Sequence, residues 1–329
     1  MTTEKGFLPV FRRVYFVLAV FSLSTYLLSM ALAIVAVCSS NNFTFFQLES
    51  LEPCRLPGLV IDRSLLLPIF LLMIFAFMLA FLISGIASPN FYRSSVDFLE
   101  GKSGASGMNF LLLMPLICSV SFFSFYLVHF LEESAGIPVG GVVFQNLFEE
   151  IFLSSYSVFA EELIFRMLPV LIPIAFYLLT YTRGGGIGIR AVLLAFFKPR
   201  FFMISNSGRV TVPRRFVATL VALSSLIFAY AHLESGSWGV GKFVTAFIAG
   251  LILGFSAFNF GFESSILIHW FYNTYWPSLA LASEFILPLR GIYSGIFYFT
   301  MISGAFMLVL VFLPLMLRSR SPHNILSMD

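Results

Sequence analysis

The residues able to do chemistry fall in three short motifs of an otherwise apolar chain. The first is Ser155-Tyr156-Ser157-Val158-Phe159-Ala160-Glu161-Glu162-Leu163-Ile164-Phe165-Arg166, at the head of an apolar run reaching about Tyr181. A charge inside a bilayer costs roughly 2.5–3.5 kcal/mol on insertion scales, so two carboxylates and a guanidinium together need a reason. On a helix Glu162 and Arg166 stand four residues apart with the acid N-terminal, the favoured order for an ion pair. Glu161, about 100° further round, has no local partner. An unpaired carboxylate in low dielectric is a candidate acid or base. Taken alone, the motif reads equally well as a structural ion pair that fixes helix packing.

The other two motifs use two of only four histidines. Phe228-Ala229-Tyr230-Ala231-His232 sets Phe228 and His232 one turn apart on one helical face, and His269-Trp270-Phe271-Tyr272-Asn273 does the same for His269 and Asn273. Amide hydrolysis needs an activated water, a stabilised oxyanion and a proton for the leaving amine. Glu161 with His232 suits water activation, and His269 with Asn273 suits donation to the tetrahedral oxygen. Glu162 and Arg166 then brace Glu161. A His/His/carboxylate zinc set of Glu161, His232 and His269 remains the mechanistic alternative.

Other hydrolytic and nucleotide signatures are missing. The three aspartates, Asp62, Asp97 and Asp329, lie in loops or the tail, which excludes a two-aspartate intramembrane site. No His-Glu-x-x-His and no Gly-x-Ser-x-Gly occurs, and Gly101-Lys102-Ser103 lacks the first glycine of a Walker A loop.

The elements that must position these groups are membrane helices. Charged residues are 11% of the chain and hydrophobic ones 59%, against about 25% charged in soluble domains. Mean hydropathy is +0.96. The expected fold is an all-α polytopic bundle forming one integral membrane domain over 1–329. About eight spans are expected, near 14–37, 65–87, 109–131, 158–180, 215–232, 242–260, 264–282 and 293–317, each long enough for a hydrocarbon core of about 30 Å. The first run is too long for a signal-peptide core and reads as a span. Residues 142–157, apolar with Glu149 and Glu150 set among them, read as an interfacial amphipathic helix before the fourth span.

Glycine pairs at helix-packing spacing occur at Gly250/Gly254 and Gly291/Gly295. The 181–215 stretch, with seven Lys and Arg, reads as a loop marking topology rather than one engaging a partner. Fourteen of the nineteen Lys and Arg fall on alternate segments that include both termini, so both termini are expected in the cytoplasm. That orientation sets Glu161 and His232 toward the outer half. It leaves His269 only about 8 Å inside the cytoplasmic end of its span, unless that span begins deeper or the loop before it dips into the bilayer. Cys38 and Cys54 share an outer loop and are expected as free thiols; Asn42-Phe43-Thr44 there is an acceptor triplet for glycosylation, or a chance one. A net charge of +3 gives no sign of a nucleic-acid partner.

Glu161-Glu162-x-x-x-Arg166, Phe228-x-x-x-His232 and His269-x-x-x-Asn273, in this order on separate spans, resemble the CAAX-protease and bacteriocin-processing (CPBP, or Abi) family of glutamate intramembrane endopeptidases. The resemblance covers a motif-bearing core of about 155–280. It implies a metal-free, cofactor-free hydrolase acting on a membrane-anchored peptide or lipidated protein, prenylated in the eukaryotic members. Glu161 and His232 would activate water, His269 and Asn273 would form the oxyanion site, and Glu162 and Arg166 would support the first pair, with Phe228 one turn before His232. Two other classes stay open: a non-catalytic membrane scaffold or bacteriocin-immunity protein, and a proton- or ion-coupled transporter. The clustering of ionisable groups, rather than a string of them along a path, weakens the transporter.

Overall fold

The computed structural model describes residues 4–39, 55–56, 59–60, 65–102, 107–144, 147–181, 188–205, 210–285 and 289–319. Asn42 and Cys54, and the side chain of Cys38, lie outside the described residues. Helices dominate: α1 (Glu4–Ser39), α2 (Leu66–Ile86), α3 (Phe91–Glu100), α4 (Phe110–Ser134), α5 (Leu147–Glu162), α6 (Ile172–Tyr181), α7 (Ile189–Phe197), α8 (Pro199–Ser205), α9 (Arg214–Glu234), α10 (Lys242–Phe260), α11 (Phe262–Trp270), α12 (Trp276–Phe285) and α13 (Leu289–Ser319). π-helical turns Leu163–Leu171 and Phe271–Tyr275 join α5 to α6 and α11 to α12.

Among the described residues seven helices are long and apolar enough to cross a membrane: Pro9–Ile34, Leu67–Ile86, Phe110–Ser134, Glu149–Tyr181, Arg214–Glu234, Lys242–Phe260 and Arg290–Val309. The chain is an integral, multi-pass, all-α protein. Leu72, Phe75, Leu82, Phe176 and Ile302 on the outside of the bundle are exposed, as side chains facing lipid must be.

Two expectations change. The stretch expected as an interfacial helix is continuous with the fourth span, giving one apolar rod of 33 residues, Glu149–Tyr181. At 1.5 Å per residue it is about 50 Å long, more than the hydrocarbon core alone requires. The expected seventh span, 264–282, is helical but does not belong to the apolar seven. Its sequence carries Ser264, Ser265, His269, Asn273, Thr274, Ser278 and Ser283. Ser264 through Phe271 are all buried. A helix wrapped on all sides by protein has no lipid-facing stripe to keep apolar. Around it Trp270, Phe271 and Tyr275 pack with Tyr26, Phe77 and Phe122. Polar ties cross the same core: the Tyr275 hydroxyl donates to Thr25 Oγ1 at 2.8 Å and the Tyr272 hydroxyl to Ser121 Oγ at 2.8 Å.

Small residues decide how closely α9 and α10 approach. A Cβ on Gly250 would lie 2.8 Å from Ser225 Cβ, and one on Gly254 2.8 Å from Val221 Cγ1. Gly291 and Gly295, the other spaced pair, have nothing within 4 Å of such a Cβ. The 181–215 stretch is not a bare topological marker. It folds into α7 and α8, whose Ala195 and Phe202 are buried in a second core with Ile174, Leu178 and Val221. Lys198 there pairs with Glu263 at the start of the inner helix, 2.5 Å apart.

Candidate active site

The two π-helical turns have a local cause. Proline has no N–H for the carbonyl four residues back and its ring crowds that carbonyl, so a widened turn relieves the helix. Pro169 lies within Leu163–Leu171, and Pro277 stands two residues after Tyr275, the last of the Phe271–Tyr275 turn. The carbonyl that Pro169 cannot satisfy is that of Phe165, and Ser224 Oγ on α9 donates to it. One turn begins directly after Glu162 and the other contains Asn273, so each locally re-aims the helix that carries site residues.

His269 is the hub. Its Nδ1 donates to Glu162 Oε1 at 2.7 Å. Its Nε2 lies 3.4 Å from Glu161 Oε2 and 3.1 Å from Asn273 Nδ2. Asn273 Nδ2 also reaches Ser157 Oγ at 3.3 Å. Glu162 is fully buried, and Arg166, 1% exposed, approaches its Oε1 through Nη1 at 3.6 Å. The expected Glu162–Arg166 ion pair is therefore present, with an addition: the same carboxylate oxygen orients His269. Arg166 Cζ also sits 4.2 Å above the Phe228 ring, a cation–π contact. Phe228 in turn meets His232 and His269 edge to face, at centroid distances of 4.6 and 6.0 Å.

The expected pairing of Glu161 with His232 takes another form. Among the described residues no hydrogen bond or ion pair joins them. Glu161 faces His269, while His232 Nδ1 bonds the carbonyl of Phe228 at 2.9 Å on its own helix. His232 lies at the last turn of α9, and its ring stands 6.3 Å from that of Trp238 in the following loop. The contact between Glu161 and His269 also corrects the depth expectation: the inner helix holds His269 level with Glu161 rather than near the opposite surface. No cluster of three His, Cys, Asp or Glu with metal-binding geometry occurs among the described residues, and the set of Glu161, His232 and His269 weighed for zinc forms none.

Beside this network lies a cavity of about 220 Å³, lined by Phe228, His232, His269, Tyr272 and Asn273. Its α10 wall holds Ala246 and Ala249, whose short side chains leave the space open. Lys242, Thr245 and His129 complete the polar lining. His129 Nε2 hydrogen-bonds Thr245 Oγ1 at 2.8 Å, and Lys242 Nζ lies 4.1 Å from the centroid of the Trp238 ring. Two loops pair where α4 ends and α10 begins. The amide of Gly141 donates to Ser237 O at 3.0 Å and that of Gly239 to Val139 O at 2.8 Å.

Ser157, His129, Thr245 and Lys242 escaped the sequence reading. Ser157 carried a signal, since it stands four residues before Glu161 on the same helical face. Lys242 and His129 had none, being separate residues at the ends of different spans. Several groups at the centre have no hydrogen-bond partner: Glu161 Oε2, Glu162 Oε2 and all three guanidinium nitrogens of Arg166. Buried polar atoms are normally satisfied, and clustered exceptions mark strain, unseen water or chemistry. In comparisons with protein-family models, curated proteins and solved structures, nothing matches this chain.

Proposed function

We propose that the protein is an intramembrane endopeptidase of the CPBP type, hydrolysing a peptide bond in a membrane-anchored peptide or lipidated protein. One observation carries the reading. The unpartnered Glu161 Oε2 stands 3.4 Å from His269 Nε2, where His269 and Asn273 enter a cavity that His232 also lines. Glu161 takes a proton from water as the oxygen attacks the scissile carbonyl. Glu161 relays that proton to His269 Nε2, 3.4 Å away; the resulting N–H and the amide of Asn273 donate to the oxyanion, and the proton then passes to the leaving amine as the C–N bond breaks.

Glu162 fixes the ring of His269 through Nδ1, the role a buried carboxylate plays beside a working imidazole. Its bond leaves Nε2 directed at Glu161 and Asn273. Arg166 offsets the charge of Glu162 and stacks on Phe228, which keeps that carboxylate available to His269. His232 serves from the cavity wall, one turn from Phe228. Both termini in the cytoplasm require the enclosed inner helix to cross as an eighth span; the cavity, set among the ends of α4 and α9 and the start of α10, then opens toward the outer surface. A peptide enters there while its lipid or helical anchor stays in the bilayer.

The test is proteolysis by the purified full chain in liposomes carrying membrane-anchored peptides, with products identified by mass. Cleavage that persists through chelation supports the glutamate mechanism. Cleavage that chelators remove and zinc restores supports a metal peptidase. Absence of cleavage across prenylated, acylated and helically anchored substrates leaves the buried network as packing in a scaffold or immunity protein.

A further inference from the structure

A second polar cavity, of about 120 Å³, sits at the opposite end of the same helices, where α2 ends, α4 begins and α10 turns into α11. Its walls include Ser84, Asn109, Lys198, Arg200, Asn259 and Glu263. Asn109 builds the frame. Its Oδ1 caps α4 by accepting from the Leu111 amide at 2.9 Å, while its Nδ2 donates to Ser84 O at 2.9 Å and Pro89 O at 2.8 Å. Both ends of that carboxamide are used in tying helices together.

The remaining groups are donors with capacity to spare. Glu263 is the one acid in the lining, and Lys198 Nζ lies 2.5 Å from it. Arg200 Nη1 donates to Asn259 Oδ1 at 2.7 Å, and no carboxylate lies within ion-pair distance of Arg200 among the described residues. Two cations therefore face one carboxylate. The hydroxyl of Ser84, 2% exposed, lines the same space and has no hydrogen-bond partner. An excess guanidinium, an ammonium with unused N–H bonds and an unsatisfied hydroxyl around a small cavity match the tetrahedral oxygens of a phosphate group.

Depth supports the same ligand. Leu67–Ile86 and Lys242–Phe260 end here, and Phe110–Ser134 begins here. Termini of membrane-spanning helices lie at the level of lipid headgroups, and basic pockets between such helices take anionic ones.

We propose that this cavity, framed by Asn109 and lined by Arg200, Lys198 and Ser84, binds a phosphate group. That chemistry is shared by an anionic phospholipid headgroup and free phosphate. The site is separate from the proteolytic reading and stands or falls without it.

The test is thermal unfolding of the full chain in nanodiscs of phosphatidylcholine, with and without phosphatidylglycerol. A third arm adds inorganic phosphate to the phosphatidylcholine discs. Wild-type protein gains Tm with phosphatidylglycerol. Arg200→Gln keeps its Tm in neutral lipid but binds phosphatidylglycerol about tenfold more weakly or worse, as expected for losing a charged donor, and so loses most of the gain. Arg93→Gln, an exposed arginine on α3, keeps the gain. An equal gain from inorganic phosphate names the free anion as the ligand, and a gain from phosphatidylglycerol alone names the lipid. No gain in any arm, an undiminished gain in Arg200→Gln, or an equal loss in Arg93→Gln overturns the proposal. If Arg200→Gln does not fold in neutral lipid, Ser84→Ala is read by the same criteria.

Discussion

Two carboxylate–cation systems meet the inner helix, and they are built differently. At its start, Glu263 is held by Lys198 at 2.5 Å, both side chains keeping some exposure, 11% and 20%. Further along, His269 sits between Glu161 and Glu162, with Arg166 beyond, and the side chains of Glu162, Arg166 and His269 are at most 4% exposed. In the partly buried pair the carboxylate has its counter-ion in direct contact. The buried system carries five atoms with no hydrogen bond. Desolvation makes each such atom costly, so a fold that served only stability would gain more from apolar side chains. The difference teaches where to look for proton chemistry: in the system whose carboxylates burial has left with unsatisfied oxygens, rather than where a carboxylate is matched by an ammonium.

The largest effect expected from breaking the buried system is on turnover. His269→Ala removes the ring that Glu162 orients and Glu161 faces, and the proposed proteolysis should fall by roughly 10²–10⁴-fold, measured as the initial cleavage rate in liposomes. Arg166→Leu should act on stability instead. It strands Glu162 and removes the stacking on Phe228, costing about 3–5 kcal/mol, read from reversible unfolding in mixed micelles. Gly254→Val should drive a side chain into Val221 and separate α9 from α10 at a cost of about 1–3 kcal/mol, by the same measurement. Lys198→Met should cost least, about 1 kcal/mol, because the pair retains contact with solvent. The double variant with Glu263→Met should recover most of that loss. If Lys198→Met proves as damaging as Arg166→Leu, the contrast between the two systems is wrong.

What could be read in advance follows from the range of each interaction. Glu162 and Arg166 are one helical turn apart, so their pairing was legible from spacing alone. The bond from His269 to Glu162 crosses 107 positions, and the azimuth of a membrane helix is set by its neighbours rather than by its own sequence. For that reason residue types paired Glu161 with His232 for water activation, whereas packing sets it against His269. Apolar runs located seven crossing helices well. The run near 264–282 was real as a helix, but its serines, Asn273 and His269 signalled enclosure by protein rather than contact with lipid. Glycine spacing was legible at Gly250 and Gly254 and silent at Gly291 and Gly295, because the motif permits close approach without supplying the partner. The folding of α7 and α8 was hidden by the charges around them. Basic residues there read as topology, while Ala195 and Phe202 did the packing.

The division of labour between the adjacent glutamates is the central claim, and one paired measurement addresses it. Cleavage rate and Tm are determined side by side for Glu161→Gln and Glu162→Gln in the same liposomes. Glu161→Gln should abolish cleavage at a Tm near that of wild type, and Glu162→Gln should lower Tm markedly. Undiminished cleavage by a folded Glu161→Gln protein would contradict the account.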